Sequence, residues 1–129
     1  MKTTVFKEFK FSAAHHLTIP GHKCSTMHGH NYRVIVECSG KVNSEGMIVD
    51  FHRIKEVVSP IIELLDHKCL NDIIEGGSTS ENIARWIAER AQNQLGNVCR
   101  VTLWETDTCG AIVEVGDFLV NNAQDMPAP

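Results

Sequence analysis

Five of the seven histidines fall between residues 15 and 30, and three of them have the spacing of an open metal site. His28 and His30 form an H-G-H triplet, and His15 ends the apolar run Phe9, Phe11, Ala13. Alternate side chains of an extended strand share a face, so a strand here points His28 and His30 the same way. Pairing that strand with the one ending at His15 makes three imidazoles converge and leaves a fourth coordination position free. Catalytic zinc is held in this way, by three protein ligands and a vacancy, whereas structural zinc is closed by four ligands. A fourth ligand from the chain itself would therefore argue against catalysis. Imidazole also suits copper, iron or nickel, so zinc is the first expectation among several metals. His16 and His22 lack this geometry and read as solvated.

Other reactive side chains lie nearby in sequence. Cys24 stands four residues before His28 in the polar loop G-H-K-C-S-T-M-H, beside Lys23 and His22. Positive surroundings favour the thiolate, which suits a nucleophile or general base. Free cysteines are commonly inert, and Cys38, Cys69, Cys99 and Cys109 read as structural. Asp66-His67 is a histidine beside an orienting carboxylate, at the end of a helix whose dipole would also favour it. Glu105 ends an inward row of Cys99, Val101 and Leu103, where alternation calls for an apolar residue. A buried carboxylate needs a partner, and a guanidine-like edge with two adjacent N–H groups would meet it bidentately. If the strand has already ended there, Glu105 is simply wet. The segment G-G-S-T-S-E around Thr79 and Ser80 is chiefly helix-cap chemistry.

These groups need elements to carry them. Residues Thr4 to Ala13 alternate as a strand with Val5, Phe9 and Phe11 on one face, and 31–38 alternate as a second, with Tyr32, Val34 and Val36 together. Asp50 caps a helix running through Ile54, Val57, Val58, Ile61, Ile62 and Leu65. Pro60 lies inside it and should kink or split it, with Ser59 capping the second part. Thr79 or Ser80 caps a second helix carrying Ile83, Trp86, Ile87, Ala91 and Leu95, which Gly96 stops. Strands follow over 98–105 and from 111 to 115, with a possible extension to Phe118. The order ββααββ predicts an α+β sandwich, a four-stranded antiparallel sheet with two helices on one face.

At 129 residues the chain reads as a single catalytic domain over 1–120 with a loose tail over 121–129. A net charge of −4 and an isoelectric point near 5.9 exclude a general nucleic-acid binder. No apolar run approaches a membrane span, and the start Met1-Lys2-Thr3-Thr4 lacks the apolar segment of a signal peptide. Five scattered cysteines without a C-x-x-C pair fit free thiols in the cytoplasm.

Taken together, F-S-A-A-H (11–15), G-H-K-C-S-T-M-H-G-H-N-Y (21–32), V-D-F (49–51), L-D-H-K-C-L-N-D (65–72), S-T-S-E-N (78–82) and W-E-T (104–106) resemble the 6-pyruvoyl-tetrahydropterin synthase family. The three residues between Cys24 and His28 are similar to the bacterial 6-carboxytetrahydropterin synthase branch of queuosine biosynthesis; the pyruvoyl-forming branch has a longer gap. The resemblance implies a tunnelling fold and a carbon–oxygen lyase acting on a pterin triphosphate, with Zn2+ on His15, His28 and His30. It makes Cys24 the catalytic base and Asp66 and His67 its proton relay, contributed by a neighbouring subunit. Glu105 becomes the pterin anchor, helped by Thr79 and Ser80. It further implies a homohexamer built as a dimer of trimers. Lys23, Arg33 and Lys68 are candidate triphosphate contacts. A pyruvoyl-forming or related side-chain lyase is the nearest alternative, and a non-catalytic metal- or pterin-binding module is another.

Overall fold

A computed structural model describes residues 1–116, over which β1 (Thr3–His15), β2 (His28–Gly40), α1 (Phe51–Glu63), α2 (Ser80–Leu95), β3 (Val98–Trp104) and β4 (Gly110–Glu114) follow in order. The four strands form one antiparallel sheet in the order β1-β2-β3-β4, with α1 over β1, α2 over β3 and β4, and the helices against each other. This is the expected α+β architecture. The tail over 121–129 and the extension of the last strand to Phe118 lie outside the described residues.

Alternation builds the core. On β2 the buried row is Tyr32, Val34, Val36 and Cys38, and β1 adds Phe11 and Ala13. Helix residues Ile54, Val57, Val58 and Ile61 and Ile83, Ala84, Ile87 and Ala91 close over them. Removing this apolar surface from water is the main driving force for the two layers. Burial pushes the Cys38 thiol up to about 11, with Cys99 adding to the effect, so Cys38 behaves as a hydrophobe.

Several expectations need correction. Pro60 does not split α1, which runs unbroken past it under the Asp50 cap, whose side chain accepts from the His52 N–H at 2.8 Å. A proline within a helix forfeits one i→i−4 bond, and burial of Ile54, Val57, Val58, Ile61 and Ile62 outweighs that loss here. The inward row of β3 begins at Val98 and not at Cys99. Cys38 pairs with Val98 and Glu37 with Arg100, so Cys99 is the extra residue of a β-bulge and is displaced from the row. Cys109 lies exposed in the 105–109 turn. Asp66-His67 sits beyond α1, in a turn segment whose bonds run to β1.

Gly110 closes the β3–β4 hairpin opposite Trp104. A Cβ there would run into the Leu103 carbonyl, which is backbone and cannot step aside. Gly110→Ala should therefore lower unfolding stability by about 2 kcal/mol in a urea titration.

Candidate active site

His15 and His28 are directly paired across the β1–β2 ladder, and His30 pairs with Ala13 two residues away on the same face. The rings of His15, His28 and His30 meet edge to face, with centroids 4.6 to 5.2 Å apart. Two of the rings are locked by backbone carbonyls. His15 Nδ1 lies 2.7 Å from the Ser78 carbonyl and His28 Nδ1 lies 2.8 Å from the Thr26 carbonyl. A carbonyl only accepts, so each Nδ1 carries a proton, and in the neutral imidazole each Nε2 is then the lone-pair nitrogen. The Nε2 atoms of His15 and His30 are buried without a hydrogen-bond partner among the described residues. Burial pushes His30 below the ordinary imidazole range; Glu105 opposes that push, and His15 and His28 reinforce it. Three imidazoles converging on one point fit a divalent metal such as zinc, which binds the neutral ring.

Glu105 lies beside the three histidines. Its Oε1 lies 3.0 Å from His30 Nε2 and 3.8 Å from His15 Nε2. One ligand atom from each of His15, His28, His30 and Glu105 can be chosen so that all lie within 4.8 Å of one another. The other carboxylate oxygen accepts from the Ser80 hydroxyl. The Glu105 backbone is held by its N–H donating to the Cys109 carbonyl at 2.9 Å. Thr79 is the N-cap of α2, its hydroxyl accepting from the Asn82 N–H at 3.2 Å, and this cap sets Ser80 beside Glu105. Next to them is Tyr32, 1% exposed, whose hydroxyl is also buried without a partner. Burial raises its pKa well above the ordinary phenol value, and Glu105 adds to the rise.

A second layer, not visible in the sequence, holds His15 in place. Asn71 clamps the His16 backbone from both sides, Oδ1 accepting its N–H and Nδ2 donating to its carbonyl, each at 2.9 Å. The fully buried Ser78 hydroxyl lies 3.0 Å from Asn71 Oδ1, while the Ser78 carbonyl takes the His15 N–H. Gly76 and Gly77, at φ of +83° and +107°, make the turn into Ser78, and Asn82 Nδ2 donates to both their carbonyls. Only the L-N-D and S-T-S-E-N segments hinted at these residues.

Cys24 sits in a short 3-10 turn, Lys23–Ser25, within the loop joining β1 to β2. Its carbonyl accepts from the Leu17 N–H at 2.9 Å, and its N–H donates to His22 Nδ1 at 3.0 Å. His22, read as solvated, thus caps the turn that carries the thiol. Asp66 and His67 form a pair, Oδ2 to Nδ1 3.0 Å, at the edge of β1. Asp66 Oδ1 accepts from the Ser12 N–H, and the His67 N–H donates to the Ser12 carbonyl. His67 adopts φ +59°, a left-handed conformation uncommon outside glycine, and its side chain is 81% exposed. His30, His67 and Lys68 line one open groove of about 550 Å³. Arg33 is engaged elsewhere, with Glu8 at 3.0 Å and the Trp104 ring at 5.6 Å.

The family model described as 6-pyruvoyl tetrahydropterin synthase matches residues 4–115. A relative in Archaeoglobus fulgidus, provisionally named 6-carboxy-5,6,7,8-tetrahydropterin synthase, is 48% identical over 75% of this chain and 83% of its own length. A dihydroneopterin monophosphate aldolase of Pyrococcus furiosus is 36% identical over 88% of this chain and 99% of its own. Among solved structures, the 6-pyruvoyl tetrahydropterin synthase of Caenorhabditis elegans superposes with a TM-score of 0.81 at 27% identity, covering 90% of this chain and 97% of that one.

Two outcomes follow from the hydrogen bonds. Asn71→Ala leaves the partly buried N–H of His16 unpaired, its carbonyl keeping the Ser78 hydroxyl at 3.3 Å, and should cost about 2 kcal/mol of stability, measured by urea denaturation. The Ser12 N–H, and then His67, hold the Asp66 carboxyl below its ordinary value. A depressed carboxyl stabilises the fold above its unfolded pKa, near pH 4, and that contribution is lost as pH falls through the folded value. Asp66→Asn keeps the acceptor for Ser12, so the variant should lose less stability than the parent between about pH 4 and pH 2.

Proposed function

The chain belongs to the 6-pyruvoyl tetrahydropterin synthase family, and we propose that it is a zinc-dependent lyase converting 7,8-dihydroneopterin triphosphate to 6-carboxy-5,6,7,8-tetrahydropterin, with release of acetaldehyde and triphosphate. The observation that carries this reading is the convergence of ring nitrogens of His15, His28 and His30, two of the rings held by carbonyls at Nδ1. The similarity to a relative named for the carboxy-forming reaction, and the three residues between Cys24 and His28, favour that branch and a place in queuosine biosynthesis.

Zinc held by the three histidines would act as a Lewis acid towards the substrate's side-chain hydroxyls, making their protons and those on the adjoining carbons easier to remove. The chain's own residues bind, orient and move protons. Glu105, steadied by Ser80 and by the Thr79 cap, takes the ring's adjacent N–H donors and fixes which end of the substrate faces the metal. Cys24 removes a side-chain proton as general base, from a loop held by Leu17 and His22. The Asp66–His67 pair returns and relays protons. Its position at the rim, with His67 exposed, suits service to a site completed by a neighbouring copy in a hexamer of two trimers. Lys68 is the best placed of the three candidate cations for the triphosphate, since it lines the groove with His30 and His67, whereas Arg33 is already neutralised by Glu8.

A cytoplasmic setting is part of the same reading, supported by the free thiols. Among the described residues no helix is long and apolar enough to cross a membrane. The same reading takes 1–120 as the catalytic domain and 121–129 as a loose tail.

A second reading is carbon–carbon cleavage of a dihydroneopterin monophosphate, favoured by the likeness to the Pyrococcus furiosus aldolase over 99% of that protein. Both readings use the same histidines and ring anchor and differ in the phosphate and the product. Incubating the zinc-loaded protein with each phosphate ester and identifying products by mass spectrometry decides between them. Acetaldehyde and the carboxylated pterin are expected from the triphosphate; a shortened pterin from the monophosphate alone would establish the aldolase. Cys24→Ala should reduce turnover by at least about a hundredfold with zinc content unchanged. Unimpaired turnover would remove Cys24 from the mechanism.

A further inference from the structure

The cluster at the end of the sheet contains more buried polar atoms than hydrogen bonds to satisfy them. His15 Nε2, His30 Nε2 and the Tyr32 hydroxyl are all buried without a partner among the described residues, and all lie around Glu105. The Ser78 and Thr26 carbonyls take the Nδ1–H of His15 and His28, which leaves each Nε2 as the ring's ligand atom. A carboxylate oxygen lies 3.0 Å from His30 Nε2 and 3.8 Å from His15 Nε2, yet neither nitrogen has a hydrogen-bond partner among the described residues. A cation between the carboxylate and the ring nitrogens would satisfy all of these atoms at once. The four ligand atoms lie within 4.8 Å of one another, and carboxylate oxygen is an ordinary zinc ligand.

From this geometry we infer that Glu105 is the fourth ligand of the metal in the substrate-free protein and gives up that position when the ring of the substrate takes its carboxylate. The inference rests on the metal-dependent reading above and deepens it. A ring edge with two adjacent N–H groups needs both carboxylate oxygens. At present one faces the imidazoles and the other accepts from Ser80. Seating the ring recruits the first oxygen and frees the metal position it filled. Ser80 holds the carboxylate in a place from which either partner can be reached. The exchange ties recognition to reactivity, because water and other phosphate esters meet a metal closed by four protein ligands until a ring of the right edge arrives. It also explains how a site filled by the chain itself can still be catalytic.

Cobalt(II) as the metal and pterin as the ligand test this, since pterin has the ring edge without the side chain that would itself reach the metal. Metal-free protein is titrated with cobalt, uptake is measured by chelator competition, and the visible spectrum is recorded before and after pterin is added to saturation. The parent should show a four-coordinate spectrum that changes on adding pterin. Glu105→Ala should bind cobalt at least about tenfold more weakly, start from a different spectrum and show no change with pterin. If Glu105→Ala matches the parent in affinity and spectrum, Glu105 is not a ligand and the inference is overturned while the three-histidine site stands. If the variant differs but pterin leaves the parent spectrum unchanged, Glu105 is a permanent ligand and the exchange is overturned. A parent that takes up no cobalt or zinc would overturn both this inference and the metal-dependent reading.

Discussion

The register between β1 and β2 is the constraint on which the site depends. Antiparallel pairing sets His15 opposite His28 and Ala13 opposite His30, so one ladder delivers three imidazoles to one face. A slip of one residue would turn the whole β1 row, from Val5 through Phe11 to His15, to the wrong side. The register is therefore enforced by the hydrophobic core, and the stacked Phe11 and Tyr32 rings, 4.7 Å apart, mark the boundary between core and site. The convergence of the three imidazoles and fold stability are here the same requirement. The Ser78 and Thr26 carbonyls add what a strand cannot supply, the tautomer and rotation of each ring.

Much of this was legible in the sequence because period-two alternation speaks directly about faces. H-G-H, the apolar row ending at His15 and the inward place of Glu105 all follow from it, as do the Asp50 and Thr79 caps. What was not legible came from non-local geometry. The bulge that displaces Cys99 depends on pairing with Glu37 and Cys38, which no single strand announces. Pro60 looked like a break because the local rule counts the lost bond and not the buried apolar row around it. Asn71 and Ser78 read as turn and cap residues; their bonds to His16, more than fifty residues away, exist only in the folded chain. The position of Glu105 beside His30 depends equally on where β3 ends.

The site is built from parts of unequal rigidity. The histidines stand on long paired strands, and β1 is further braced where Ala14 donates to the Lys68 carbonyl and Ser12 bonds to both Asp66 and His67. Cys24 stands on a loop whose hydrogen bonds are mostly local, Leu17 to Cys24, His22 to Ile19 and Ser25 to His22. Groups that must hold an ion at fixed distances gain from strands, because imprecision of a few tenths of an ångström weakens every bond at once. A group that moves a proton can tolerate a loop, provided that loop cannot drift from the metal.

The loop meets that proviso through its ends. It leaves β1 immediately after His15 and enters β2 at His28, two residues that face each other across the ladder, so any excursion of Cys24 is tethered on both sides to these histidines. The His22 imidazole then fixes the Cys24 amide, and the Leu17 amide fixes its carbonyl, leaving the side chain as the part free to choose its direction. The same segment that closes the hairpin therefore carries Cys24, and chain connectivity ties it at both ends to the histidine cluster.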